Sequence, residues 1–99
     1  MHATLRRLKC AAGQAHEVGR LIEAEYIPQL ADVPGVVSYT LVDLGDDVVT
    51  SLGIFTSEAS AVQANDLAQA WARSRLADLG AAPLEAQEGE VLTHSVFPA

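Results

Sequence analysis

The chain has 99 residues, 49% of them apolar and 19% charged, which excludes a disordered polymer or a pair of domains and leaves one folded unit over residues 1–99. Thirteen acidic and six basic side chains give a formal charge of −7, with no basic stripe to neutralise phosphates. Nucleic acid, polyanionic substrates and anionic membrane surfaces are therefore disfavoured, and the charge either keeps the surface soluble or suits an apolar, neutral or cationic ligand. No apolar run approaches the roughly 20 residues of a bilayer span. No apolar stretch follows Arg6, Arg7 and Lys9 to make a signal peptide, so the cytoplasm is the expected compartment. Cys10 is the single cysteine, too few for an internal disulfide or a multi-cysteine metal site.

His2 to Cys10 alternates loosely and predicts a strand, broken at Ala12-Gly13-Gln14. From Ala15 to about Ala31, Val18, Leu21, Ile22, Tyr26 and Leu30 recur at steps of three and four, one face of a helix. Pro28 interrupts that pattern and predicts a kink, and Val33-Pro34-Gly35 stops it. Val36 to Val42 is a β-branched and aromatic strand, Leu44-Gly45-Asp46-Asp47 a tight hairpin turn, and Val48 to Thr56 the returning strand, with Gly53 marking a bulge or a close backbone approach. Ser57 before Glu58 is an N-cap signature for an alanine-rich helix running to about Leu79 and ending at Gly80. Ala81-Ala82-Pro83 reads as a linker and Glu85 to Glu90 as a polar loop. Val91 to Phe97 reads as the last strand.

The order strand, helix, strand, strand, helix, strand is the split βαβ, ferredoxin-like arrangement: an α+β fold, βαββαβ, with a four-stranded antiparallel sheet and two helices on one face. Its strands carry apolar side chains on both parities, Val37, Tyr39 and Leu41 against Val36 and Val42, and Leu52 and Ile54 against Val49 and Phe55. A sheet with one wet face shows polar residues on one parity, so the second face is expected to be covered by another copy of the chain, in a homodimer packed sheet on sheet.

Pro34-Gly35-Val36-Val37-Ser38-Tyr39 after the first helix, Gly45-Asp46-Asp47 in the hairpin, Ile54-Phe55-Thr56-Ser57-Glu58-Ala59 leading into the second helix, and Trp71 within it resemble the dimeric α/β-barrel superfamily, and within it the small antibiotic-biosynthesis-monooxygenase (ABM) type domains. The resemblance covers residues 2–97. It implies a dimeric α/β barrel and, as function, cofactor-independent oxygenation of a small aromatic or polyketide-like compound; the alternative is a non-catalytic dimeric module that binds a small ligand or serves a structural role. The haem-degrading members have an asparagine on the first strand, where this chain has Arg6 and Arg7, and a histidine about ten residues after the tryptophan, where it has Ala81, so haem degradation is not expected. The quinone-forming members use an asparagine and a tryptophan near the second helix. Asn65 and Trp71 are six residues apart, about 240° around a helix, and do not point at one spot.

His94 is the candidate general base, since an imidazole titrates near neutrality; otherwise it is a half-buried strand residue. Asn65, Trp71 and Tyr39 are the candidate substrate-binding residues: an asparagine is out of place in a helix without a polar task, the indole suits an aromatic cavity wall, and the phenol is a hydrogen-bond donor. Each has a plainer role as a surface or packing residue. Tyr26 and Pro28 are placed at the cavity mouth. Arg6 and Arg7, adjacent on a strand, face opposite ways. The inward one needs an acidic partner, in this chain or across the dimer, unless it binds an anion. Cys10 reads as inert, and Asp43, Asp46 and Asp47 as a solvated turn without calcium-loop spacing. No metal, flavin or nucleotide signature is present, and no cofactor is expected.

Overall fold

The computed structural model describes residues 1–99. Four antiparallel strands form one sheet in the order β2-β3-β1-β4: β1 (His2–Lys9), β2 (Val36–Gly45), β3 (Val48–Phe55) and β4 (Ala82–Glu90). The first helical segment is α1 (Ala15–Leu21), a π-helical turn (Ile22–Tyr26) and α2 (Ile27–Leu30). The second is α3 (Glu58–Arg75), closed by a 3₁₀ turn (Ala77–Leu79). The ferredoxin-like order expected from the sequence is the order observed. No helix is long and apolar enough to cross a membrane.

Local chemistry accounts for the boundaries. The β2–β3 turn places Asp46 at φ 54° and Asp47 at φ 62°, the two left-handed central residues of a type I′ hairpin, whose twist matches the strands it joins. The Ser57 side chain accepts a 3.1 Å hydrogen bond from the Ser60 amide and caps α3. Gly80 ends the α3 segment at φ 71°, where a Cβ is costly. Pro28 has no N–H to give to the carbonyl four residues back. Just before it the helix widens, and the Ile27 amide bonds to the Ile22 carbonyl, five residues away. The kink expected at Pro28 is therefore a π-bulge.

The last strand corrects the sequence reading. The polar stretch Glu85–Glu90, expected as a loop, lies within β4, and the apolar stretch Val91–Phe97, expected as the strand, has no regular structure. Geometry overrides side-chain preference here. The chain leaves Gly80 beside Ala11, so the next residues meet the end of β1, pairing Lys9 with Ala82. The register runs back along β1 until His2 meets Glu90, and the Val91 amide bonds to the Met1 carbonyl at 2.9 Å. There the pairing with β1 ends. β4 is an edge strand, a place that tolerates Pro83 and favours the charges of Glu85, Glu88 and Glu90.

The core lies between the helices and one face of the sheet. β1 turns Thr4, Arg6 and Leu8 towards the helices, and β3 turns Val49, Ser51, Gly53 and Phe55. Phe55, Val18, Leu30, Ala61 and Ala64 are buried in one cluster, and the alanines let α3 approach closely. The opposite face remains open. Leu5 and Leu52 pair across β1 and β3, and with Val42 they are 39–45% exposed; Val37 falls in a bulge of β2, outside the alternation expected for it.

Candidate functional site

Between the sheet and the second half of α3 the layer opens into a cavity of about 320 Å³, within the range of small-molecule sites. Eleven of its sixteen lining residues are apolar, so an occupant must be mostly hydrocarbon. The wall is aromatic. Tyr26 stands between Tyr39, with ring centroids 5.7 Å apart and edge-on at 63°, and Trp71, at 5.8 Å and 38°. Three elements supply these rings: the π-helical turn, β2 and α3. Tyr26 closes the widened turn, so the bulge before Pro28 sets where this ring falls. Such bulges are frequent at functional sites.

A second recess, of about 30 Å³, lies behind the tyrosines. Arg6, Tyr26, Tyr39, Ser51 and Ala68 line both spaces, while Thr4, Phe55, Ala64 and Asn65 line the recess alone. The Arg6 Nη2 donates to the Asn65 carbonyl at 3.3 Å, and the Tyr26 hydroxyl donates to the Ala64 carbonyl at 3.4 Å. Burial pushes the Tyr26 phenol up to about 12, with the neighbouring Tyr39 adding to the effect and Arg6 opposing it. Burial also raises Tyr39, against the pull of the Ser51 hydroxyl and Arg6. Both phenols are therefore protonated donors at neutral pH.

The tryptophan is fixed from behind. Arg75 donates Nε (2.7 Å) and Nη2 (2.9 Å) to the two carboxylate oxygens of Glu25, and the Trp71 indole N–H reaches the same carboxylate at 3.4 Å. These bonds, Arg75's first, hold the Glu25 carboxyl below its ordinary value. They tie the π-helical turn to α3 beside the cavity.

Of the residues expected from the sequence, Tyr39 and Trp71 line the cavity and Asn65 only the recess. His94 lies on the exposed segment after β4, away from both spaces; its expected place on the last strand is corrected with that strand. Arg6 is the inward arginine. The acidic partner expected for it is absent within the chain, because none of the four ion pairs involves Arg6. Tyr26 is an inner wall, not part of the mouth, and Ser51 was missed. Parity held the signal for both polar residues: Arg6 alternates with Leu8 and Cys10, and Ser51 with Val49 and Phe55. Cys10 is buried and unpaired, with burial raising its thiol.

No protein-family model matches the chain, and no curated protein does. Solved structures do match. A protein of unknown function from Nitrosomonas europaea superposes with TM-score 0.78 at 19% identity, over 99% of this chain and 95% of that one. A monooxygenase from the ActVA-Orf6 gene of Streptomyces coelicolor, solved with nanaomycin D, gives 0.73 at 18% identity over 99% and 92%. The fold is that of the ABM-type domains. A dimeric ferredoxin-like protein from an uncultured marine organism shares it as well, with TM-score 0.72 at 6% identity over 97% of this chain and 98% of that one. In this ABM-type fold the cavity lies between the helices and the sheet, and the open face lies on the sheet's other side.

Proposed function

We propose that the protein binds a small aromatic, polyketide-like compound in the cavity walled by Tyr26, Tyr39 and Trp71, and oxygenates it without metal or flavin. The aromatic wall carries this reading, and the nanaomycin D complex of a protein with the same fold supports it. A ring methylene flanked by phenolic rings loses a proton to give an electron-rich carbanion, which reacts with dioxygen. One oxygen atom becomes the new ring carbonyl and the other leaves as water, so CH₂ and O₂ balance C=O and H₂O with no external reductant. Tyr39, as a protonated donor, suits the developing oxyanion, while Tyr26 gives its proton to the Ala64 carbonyl and serves as wall.

An anthrone probe tests the reaction. The expected result is oxygen uptake above the uncatalysed rate, one dioxygen per carbonyl formed, and its loss in Trp71→Ala. His94→Ala decides whether the tail imidazole is the base: a fallen rate supports the role expected from the sequence, and an unchanged rate removes it. A second reading, a ligand-binding module without catalysis, is favoured by one observation: no imidazole lines the cavity. Binding of the anthrone without oxygen uptake selects that reading.

We further propose that a second copy covers the open sheet face, making a homodimer. The exposed apolar residues Leu5, Val37, Val42 and Leu52 and the dimeric protein of the same fold support this. Light scattering at micromolar concentration is expected to give twice the chain mass, and a monomer there contradicts the assembly.

A further inference from the structure

We infer that the ligand of this cavity is an anion, and that Arg6 selects it by holding its charged group in the small recess behind the tyrosines. The inference rests on the cavity being a ligand site, and it adds the charge and division of that ligand. Arg6 is half-buried on the helix-facing side of β1 and lines both the cavity and the recess. A guanidinium in such a place ordinarily has a carboxylate beside it, because removing the cation from water is costly. Here its hydrogen bond goes to one main-chain carbonyl, that of Asn65. The only carboxylate on the cavity wall, Glu85, makes no ion pair. It pairs in register with Arg7, which also lines the cavity, whereas Arg6 is the arginine that reaches the recess. The remaining guanidinium donors, of which an arginine has five, are left for an incoming group.

The neighbours of Arg6 make an oxyanion setting. The hydroxyl-bearing residues Tyr26, Tyr39 and Ser51 line the same recess; the Tyr26 proton goes to the Ala64 carbonyl, and the bonded pair of Tyr39 and Ser51 keeps one hydroxyl proton for a ligand. At about 30 Å³ the recess admits a group the size of a carboxylate or an enolate oxygen and excludes a ring. The adjoining 320 Å³ takes the ring. The two spaces together describe an aromatic acid: planar hydrocarbon against the wall of Tyr39, Tyr26 and Trp71, and a negative oxygen group turned inwards to Arg6. The overall charge of −7 suggested a neutral or cationic ligand from the sequence. At this one point inside the fold the local charge has the opposite sign, and it is the local charge that a bound ligand meets.

The test uses a matched pair of probes, 2-naphthoate and its neutral counterpart 2-naphthamide, followed by quenching of the single tryptophan and by calorimetry on the full chain. Naphthoate is expected to bind about tenfold or more tightly than the amide, as a charge-assisted bond at a shielded site requires. In Arg6→Gln the preference is expected to vanish while amide affinity stays, which also shows that the cavity remains folded. Arg6→Lys is expected to restore part of the preference, since it keeps the charge and loses the fork. Equal binding of the two probes to the natural chain overturns the anion assignment and leaves the aromatic cavity standing. A naphthoate preference that persists in Arg6→Gln overturns the role of Arg6. Binding of neither probe overturns the cavity reading and this inference with it.

Discussion

The two halves of the helix–sheet layer are built from the same materials and come out differently. Under the first turns of α3, Ala61 and Ala64 are 0% and 2% exposed and the neighbouring sheet presents Phe55. Small residues on the helix meet a large one on the strand, and the space is filled but for the recess of about 30 Å³. Under the later turns, Ala68 and Ala72 are again small, but the sheet offers Arg6 and Ser51, and the gap remains as the cavity. An alanine stripe on a helix therefore specifies neither a tight core nor a cavity. The facing strand residue decides, and in this chain the switch from Phe55 to Ser51 takes four residues of β3.

The strongest way to break this contrast is at its filled end. Phe55→Ala is expected to cost about 3–5 kcal/mol, most of the stability of so small a domain, read as a lowered midpoint in urea; a loss under about 1 kcal/mol means that the tight half is not tight. A matched pair sharpens it. Ala61→Leu overpacks the filled half and is expected to cost about 1–3 kcal/mol. Ala68→Leu grows into open space, so stability is expected to stay within about 0.5 kcal/mol while aromatic ligand affinity falls. Similar losses of stability for the two would erase the distinction. A smaller effect lies at the edge of the filled half, where Ser57→Ala removes the α3 cap and is expected to cost about 1 kcal/mol; no change in thermal midpoint contradicts the capping bond.

The smallest effect is seen only in alkali. Burial lifts the Tyr26 phenol to about 12, above its ordinary value, so its contribution to stability is complete below about pH 10 and is lost as pH rises through about 12. Phenolate absorbance of the folded chain is expected to show Tyr26 still protonated at pH 11. Ionisation of both tyrosines near pH 10 in the folded state would show that the cavity wall is wet.

Much of this architecture was legible in the residues. The β2–β3 hairpin was readable because two aspartates after a glycine suit left-handed turn positions, and the start of α3 because Ser57 precedes a run of good helix formers. Both signals are local, carried by neighbours in sequence. The last strand was not legible, since Val91–Phe97 has the better strand composition and the polar Glu85–Glu90 takes the place. The site was legible in part. Trp71 and Tyr39 stood out as aromatics on the right elements. Of Arg6 and Arg7 one was expected inward without saying which, and Ser51 did not stand out, because a polar residue on a strand reads as solvated until the parity of its neighbours is known to be buried.

By itself the sequence determined the order of the elements, the turn and cap chemistry, and the two-sided apolar character of the sheet. These follow from backbone preference and side-chain periodicity, which act over a few residues. Only the tertiary structure decided which nine residues complete the sheet, because that depends on where Gly80 delivers the chain and on the register it then takes along β1. It alone brought Tyr26, Tyr39, Trp71 and Arg6 together from four separate elements. Their meeting depends on the widened turn before Pro28 and on the mismatch in side-chain size across the layer, and both are properties of packing between segments distant in the chain.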